Sequence, residues 1–372
     1  MRSVSTVERN ADRSLPGAKL TGLELLRFAS ALAVLIWHYQ HFWYVADMPV
    51  DFIREKQPLY GLLWPLYNYG VYGVQVFWII SGYIFFWKYA AGIADGRVSG
   101  WKFLVLRFSR LYPLHLVTLV AVVVLQWKFQ ALSGQPFVYP NNDGFHLMLQ
   151  LGLASNWGWE VGPSFNGPIW SISLEVVVYG LFFGVMRLVG SGRWVAPGML
   201  LLGALGYLLK IPSQIFQCVF CFFLGGFVAQ TGGGWPRKQG VDWLLRLLLL
   251  SAPLVFFGYG WQTSKPLLHL FVVGYSATLI HWLAEYCSLP QASQYWVELA
   301  GNLTYSSYLL HFPVQLSLML LSAQIGRSLP KDSPAFLAAY LAVTFLLALW
   351  VYDRFEMPMQ ARIRGWFAPQ RA

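Results

Sequence analysis

The first apolar segment of the chain contains the ionisable residues Arg27 and His38, at a spacing that could serve chemistry. They are eleven positions apart, so on a helix both side chains point to nearly the same side, about 16 Å apart along the axis. An ionisable residue inside a membrane span costs at least about 2.5 to 3.5 kcal/mol, and each one therefore indicates a partner or a function. An imidazole can take a proton from a hydroxyl group, and a guanidinium can hold an anion. The structural alternatives are a snorkelling arginine and a hydrogen-bonded packing histidine.

The composition of the 372 residues is typical of a membrane protein: 57% are hydrophobic, 11% are charged, and the mean hydropathy is +0.50. Apolar runs of roughly the 20 residues needed to cross a bilayer recur along the chain. We therefore expect an all-α, polytopic transmembrane helical bundle with about ten spans. They are predicted over residues 21–44, 70–90, 103–126, 168–189, 197–210, 213–230, 243–258, 267–284, 303–323 and 334–354; the fifth and sixth are short and are split at Pro212.

The distribution of Lys and Arg predicts the orientation, because positively charged loops stay in the cytoplasm. With both termini inside, the cytoplasmic segments hold 18 of the 26 Lys and Arg residues and the outer segments hold seven. This asymmetry and attraction to anionic lipid account for the net charge of +10 without a nucleic-acid partner. We expect an uncleaved cytoplasmic N-terminal segment (1–20), a transmembrane domain (21–358) and a basic cytoplasmic tail (359–372).

The three cysteines, Cys218, Cys221 and Cys287, all lie in apolar stretches. Cys218 and Cys221 have CxxC spacing, but the chain offers no second pair of ligands. We interpret both as buried hydrophobic residues and expect no metal site.

At Arg27 and His38 the sequence resembles the acyltransferase-3 family of membrane O-acyltransferases, whose first helix carries an Arg-x10-His pattern. The resemblance implies that acyl groups, commonly acetyl from acetyl-CoA, move onto bacterial glycans and other acceptors. Further motifs occur in the family's order over residues 22–358: aromatic-x-x-Ser-Gly-aromatic within 77–83 (FWIISGY), Arg107-x-x-Arg110-x-x-Pro113, Trp-Ser-x-x-x-Glu at 170–175 (WSISLE), Tyr-x-x-Tyr-x-x-His at 305–311 (YSSYLLH) and Glu-x-Pro at 356–358 (EMP).

Two features depart from the family pattern. An arginine often found ahead of a central Phe-x-x-Gly stretch is absent, since residues 217–225 (QCVFCFFLG) supply only glutamine. We also expect no extracytoplasmic hydrolase-like domain of the kind that some members carry, and therefore no two-step relay through such a domain within this chain.

The position of a motif residue within its predicted span gives the depth of that residue in the membrane. His38 and Glu175 lie about 8 and 10 Å from the outer ends of their spans. Because a carboxylate beside an imidazole fixes its tautomer and stabilises its cation, we predict that His38 is the general base and that Glu175 orients it. Ser171 and Tyr179 share a helix face with Glu175 and are candidates to bind the acceptor or to extend a hydrogen-bond chain. The alternative for Glu175 is a buried structural pair.

Residues near the cytoplasmic side of the membrane are predicted to bind the donor. Arg27 lies about 9 Å from the cytoplasmic end, and Arg107 and Arg110 lie at the mouth of the third span, where guanidinium groups could bind the phosphates of coenzyme A. His311 is expected at the depth of Arg27, on a face with Tyr308; its structural alternative is to satisfy carbonyls freed by Pro313.

Four further motif residues are expected to line the channel or the acceptor site: Ser81, Gly82, Tyr305 and Tyr308. Ser81 is not predicted to be a nucleophile, because it lacks a Gly-x-Ser-x-Gly elbow and a local base. The Ser81-Gly82 pair instead favours close approach of helices or a channel wall formed by backbone.

Altogether, the sequence predicts an integral protein of the bacterial inner membrane that moves an acyl group from cytoplasmic acyl-CoA to a surface glycan or glycolipid. The rival hypothesis is a transporter or flippase that uses Arg27, His38 and Glu175 as a proton or substrate pathway. An inactive family member that binds lipid or protein is a third. The Trp-, Gly- and Asn-rich residues 136–167 are the candidate lid over the acceptor, and the oligomeric state stays open.

Overall fold

A computed structural model of the chain describes residues 20–209, 211, 214–232, 239–287 and 289–367. Within these residues the protein is a bundle of helices with one two-stranded antiparallel ribbon. The ribbon pairs β1 (Tyr44–Val45) with β2 (Met48–Pro49). The α-helices are α1 (Thr21–Trp37), α2 (Tyr60–Tyr69), α3 (Gly73–Ala94), α4 (Gly100–Ser133), α5 (Gly144–Leu151), α6 (Trp170–Leu188), α7 (Val195–Leu208), α8 (Ile215–Gly232), α9 (Gln239–Gly258), α10 (Lys265–Glu285), α11 (Gln291–Asn302), α12 (Thr304–Ile325), α13 (Pro334–Val351) and α14 (Met357–Trp366).

The predicted all-α membrane bundle is confirmed, with a smaller number of full spans. Nine helical segments in the described residues are long and apolar enough to cross a membrane. The expected fifth span is α7, which has 14 residues and is therefore only about 21 Å long. The N-terminal segment to residue 19 and the end of the tail lie outside the described residues, and the orientation stays a prediction.

The helix that carries Arg27 ends just before His38. From His38 to Trp43 the chain continues as a 3-10 helix, and all six of these residues are buried. Upstream, α1 packs closely against the start of α3, where a methyl group added to Gly70 or Gly73 would overlap the carbonyl oxygens of Ala33 and Ser30. His38 therefore lies at a buried junction between two helix types.

Helix α12 runs alongside α1 in the same direction. Arg27 donates from Nη2 to Thr304 Oγ1 (3.2 Å), and Gln315 donates from Nε2 to the carbonyl of His38 (2.9 Å). Pro313 lacks an N–H, so the carbonyl of Leu309 has no helical donor; Asn166 Nδ2 donates to it instead, at 3.1 Å.

The segment between the third and fourth predicted spans is more structured than the sequence suggested. Helix α4 extends to Ser133 rather than ending near residue 126, and the chain that follows bonds to the ribbon through the Val45–Phe137 bridge. The short apolar piece forms α5, capped by Asp143, which accepts from the backbone N–H and the Nδ1–H of His146. These bonds lower the pKa of the Asp143 carboxyl. The candidate lid is therefore fastened onto the chain that follows His38.

Helices α3 and α8 approach each other at two glycines. A Cβ atom on Gly82 would overlap the backbone of Phe222, and one on Gly225 would overlap the carbonyl oxygen of Ile79. The expected close helix approach at Ser81-Gly82 is thus present, and Gly82 is the residue that permits it. Cys218 and Cys221 are buried, unbonded side chains on the same helix α8.

We predict that Gly82→Ala destabilises the bundle by about 1 to 3 kcal/mol, because the added methyl group forces α3 away from α8. Thermal unfolding of the purified protein in detergent, followed by tryptophan fluorescence, would show a lower midpoint. The matched control is Gly180→Ala on α6, where a Cβ would meet no atom within 4 Å. Equal midpoints for the two variants would contradict the close packing at Gly82.

Candidate active site

A cavity of about 540 Å³ opens between α1, α3, α4, α6, α12 and α14. Its volume is within the range of small-molecule and cofactor sites. Five cationic side chains line one part of it, which we call the basic end: Arg27, Lys88, Arg107, Arg110 and Arg364. The wall also includes Ser81, Glu175 and Tyr179, and farther along Ser171, Tyr305 and Tyr308.

Two of the five cations are neutralised by carboxylates. Arg27 Nη1 donates to Glu24 Oε2 at 2.9 Å, one helical turn away. Arg110 forms an ion pair with Glu356, whose other oxygen accepts from Ser306. Because Glu356 is 2% exposed, this pair joins α4, α12 and the start of α14 within the protein interior.

Arg107 is held differently. Its Nη2 donates to Tyr89 Oη at 2.9 Å, and the guanidinium lies over the rings of Phe85 (4.9 Å to the centroid) and Tyr89 (5.1 Å). Its Nε is buried and has no hydrogen-bond partner. The aromatic contacts orient the charge and leave donors free for a ligand.

Glu175 faces the cavity together with two hydroxyl groups. Ser81 donates to Oε1 at 3.2 Å and Tyr179 donates to Oε2 at 2.7 Å. The prediction that Glu175 orients His38 is wrong for this structure, because both carboxylate oxygens are used by Ser81 and Tyr179 and no hydrogen bond in the described residues joins Glu175 to His38. A depth counted from helix ends does not fix the direction in which a side chain points.

Tyr308 and Ser171 line the part of the cavity wall next to His311. Their hydroxyl oxygens are 2.9 Å apart, and Tyr308 Oη donates to the carbonyl of Pro168 at 2.7 Å. Tyr305 donates to the carbonyl of Leu111 and lies under Arg110, 5.4 Å from ring centroid to guanidinium. Both tyrosines therefore tie α12 to its neighbours while facing the cavity.

His311 lies one turn beyond Tyr308 and contacts His38. The two ring centroids are 4.8 Å apart with an interplanar angle of 30°. The prediction that His311 shares the depth of Arg27 is wrong, because Thr304, seven residues earlier on α12, occupies that position. His311 Nδ1 donates to the carbonyl of Tyr308 at 2.6 Å, so Nε2 carries the lone pair, and this buried atom has no partner.

His41 also stacks near His38, at 4.8 Å between centroids, but both of its nitrogens are occupied. Nδ1 lies 3.2 Å from Gln315 Oε1, and Nε2 lies 3.4 Å from the hydroxyl of Tyr139. His38 Nδ1, in contrast, is buried without a hydrogen-bond partner. The described His, Cys, Asp and Glu side chains form no group that could hold a metal ion.

Sequence reasoning missed several side chains of this region. Glu24 was detectable as the residue three positions before Arg27, which is the spacing of an ion pair on a helix. Glu356 belonged to a recognised motif, but its partner Arg110 is 246 positions away. Asn166, Gln315 and Arg364 had no pattern around them, and only their long-range contacts reveal them.

Comparison with known proteins identifies the family of the chain. A family model described as an acyltransferase domain, of the acyltransferase-3 type, matches residues 20–353. The chain is also 28% identical over 188 residues to the acyltransferase MdmB of Streptomyces mycarofaciens; the match covers 49% of this chain and 44% of that protein, so the chain spans less than half of the relative's length. No solved structure matches. Residues 20–353 include every predicted catalytic and donor-binding residue, and the chain belongs to the acyltransferase-3 family of membrane acyltransferases.

Proposed function

We propose that this protein transfers an acetyl group from acetyl-CoA, on the cytoplasmic side, to a hydroxyl group of a cell-surface glycan or glycolipid at the bacterial inner membrane. The observation that carries the proposal is the single cavity that joins the basic end to Glu175 and, at Tyr308, comes within one helical turn of the His38–His311 pair. A thioester donor with phosphates at one end and a reactive carbonyl at the other has this distribution of charge.

The donor enters with its nucleotide at the basic end and its thioester towards Glu175. Arg107 has unused donors for a phosphate, while Arg27 is tied to Glu24 and Thr304 beside the path of the pantetheine arm. Ser81, Glu175 and Tyr179 form the polar wall next to the thioester, with Gly82 behind them at the α3–α8 contact. Arg110 holds Glu356 and thereby shapes the mouth of the cavity.

His38 is proposed as the general base. It removes the proton of the acceptor hydroxyl, whose oxygen attacks the thioester carbonyl; the C–S bond breaks, and the coenzyme A thiolate leaves and takes up the proton. His311 positions the imidazole of His38, since its own Nδ1–H is committed to the carbonyl of Tyr308. Transfer requires the acyl end to pass Tyr308 and Ser171, whose hydrogen bond separates the cavity from the histidines.

The acceptor approaches His38 from the side opposite the cavity. There the chain after His38 forms the ribbon, and residues 136–138 bond to it through the amides of Ala46 and Asp47. Tyr139 reaches from this segment to His41. We propose that residues 136–167 form the acceptor-facing wall, with lipid around the bundle as the other partner.

Arg107→Gln should weaken acetyl-CoA binding about 10- to 100-fold, because charge-assisted bonds to a phosphate are lost. Isothermal titration of detergent-purified protein measures this. Arg187→Gln, on the exposed end of α6, is the matched control.

Arg110→Gln should mainly lower thermal stability, since it leaves the buried Glu356 carboxylate unpaired. Unmodified protein that binds no acetyl-CoA would favour a transporter over an enzyme.

His38→Gln should reduce acetyl transfer about 10²- to 10⁴-fold while leaving acetyl-CoA affinity unchanged, because the imidazole acts on the acceptor and not on the donor. The measurement is loss of acetyl-CoA and appearance of acetylated product in membranes. His269→Gln, at a half-buried position near the start of α10 and outside the cavity wall, is the control. A folded His38→Gln protein with normal transfer would exclude His38 as the base.

Cells that lack the gene should lose acetyl groups from a surface glycan or glycolipid. Mass spectrometry would show this loss as a decrease of about 42 mass units for each acetyl group that is missing. Expression of the unmodified protein should restore the groups, and expression of the His38→Gln protein should not. Unchanged glycans together with a changed secreted metabolite would move the acceptor to another chemical class.

A further inference from the structure

The basic end carries more positive charge than the described carboxylates neutralise. Arg27 and Arg110 have Glu24 and Glu356 as partners. Lys88, Arg107 and Arg364 line the same cavity, and no carboxylate in the described part of the chain forms an ion pair with them. Of the described carboxylates, Glu175 also lines this cavity, so cations still outnumber carboxylates there, and this excess of positive charge in a cleft favours a ligand with several negative charges.

Arg364 is held at this position by α4. Its Nε donates to Ser109 Oγ at 3.1 Å, and its Nη2 donates to Gln360 Oε1 at 2.8 Å. Ser109 lies between Arg107 and Arg110 in the sequence of α4, so three guanidinium groups meet at one site and repel one another. Such a cluster is unfavourable by itself and becomes favourable when an anion lies among the charges.

The ion pair of Arg110 positions the helix that carries Arg364. Glu356 directly precedes α14, and its carboxylate is fixed by Arg110, Ser306 and Gln360. Ser306 belongs to α12; Ser306, Glu356 and Gln360 are buried, and Arg110 is half-buried. One buried carboxylate thus fixes the position of α14 against the basic end.

We infer that Lys88, Arg107 and Arg364 form a site for the phosphate groups of the nucleotide end of coenzyme A, with Arg364 as a donor-binding residue supplied by α14. This inference rests on the proposed function. It adds Lys88 and Arg364 to the donor site that the proposed function gives to Arg107. Arg364 lies beyond residues 20–353 matched by the family model, so it is an addition to that region.

The test compares two donors that differ only in the nucleotide. Dissociation constants for acetyl-CoA and acetyl-pantetheine are measured with detergent-purified protein. Arg364→Gln should weaken acetyl-CoA binding about 10- to 100-fold and leave acetyl-pantetheine binding unchanged, because only acetyl-CoA carries the phosphates that Arg364 contacts. The control is Arg362→Gln on the same helix, exposed and not part of the cavity wall.

A purely structural role for Arg364 gives a different pattern. Ser109→Ala removes the bond that fastens Arg364 to α4 and keeps the charge, so acetyl-CoA binding should stay within about threefold of normal. Equal loss for the two donors in Arg364→Gln, or a Ser109→Ala defect as large as that of Arg364→Gln, would overturn the inference. If unmodified protein binds acetyl-CoA and Arg364→Gln binds it equally well, only this inference fails; if unmodified protein does not bind it, the proposed function fails as well.

Discussion

The alignment of α1 with α12 is the contact on which the rest of the site depends. An apolar bundle tolerates Arg27 and His38 only when polar groups reach them, and α12 supplies those groups in register: Thr304 beside Arg27, His311 and Gln315 beside His38. The two helices run in the same direction. His38 is eleven residues after Arg27, and its neighbours His311 and Gln315 are seven and eleven residues after Thr304, the partner of Arg27. This register separates the level of Arg27, at the basic end of the cavity, from the level of the His38 and His311 imidazoles.

Pro313 supports that arrangement by interrupting the backbone bonds of α12. The freed carbonyl of Leu309 recruits Asn166, which stands just before α6 and brings the start of that helix to Tyr308. Ser171 and Glu175 follow on α6 and face the cavity. A missing N–H in one helix thus determines where another helix presents its polar residues.

The three histidines show how hydrogen bonding distinguishes residues of the same type. His41 has partners at both nitrogens and is a structural residue; His311 has one nitrogen bound to a backbone carbonyl, which fixes its tautomer. His38 has ring neighbours and an unpartnered Nδ1. Of the three, only His38 and His311 retain a nitrogen for chemistry, and they contact each other.

The sequence by itself determined the membrane class, the approximate helices and the family, because hydropathy and motif spacing are local properties of the chain. From helical periodicity alone it predicted that Arg27 and His38 share one side of the first span, whereas in the structure α1 ends at Trp37 and His38 begins the 3-10 helix that follows. The tertiary structure alone decided the partners. Glu175 shares its carboxylate with Ser81 and Tyr179, His311 joins His38, and Arg110 meets Glu356 across 246 positions. Those pairings depend on the rotation and tilt of each helix, which are set by contacts such as Gly82 against Phe222. Counting residues along a span gives neither the rotation nor the tilt.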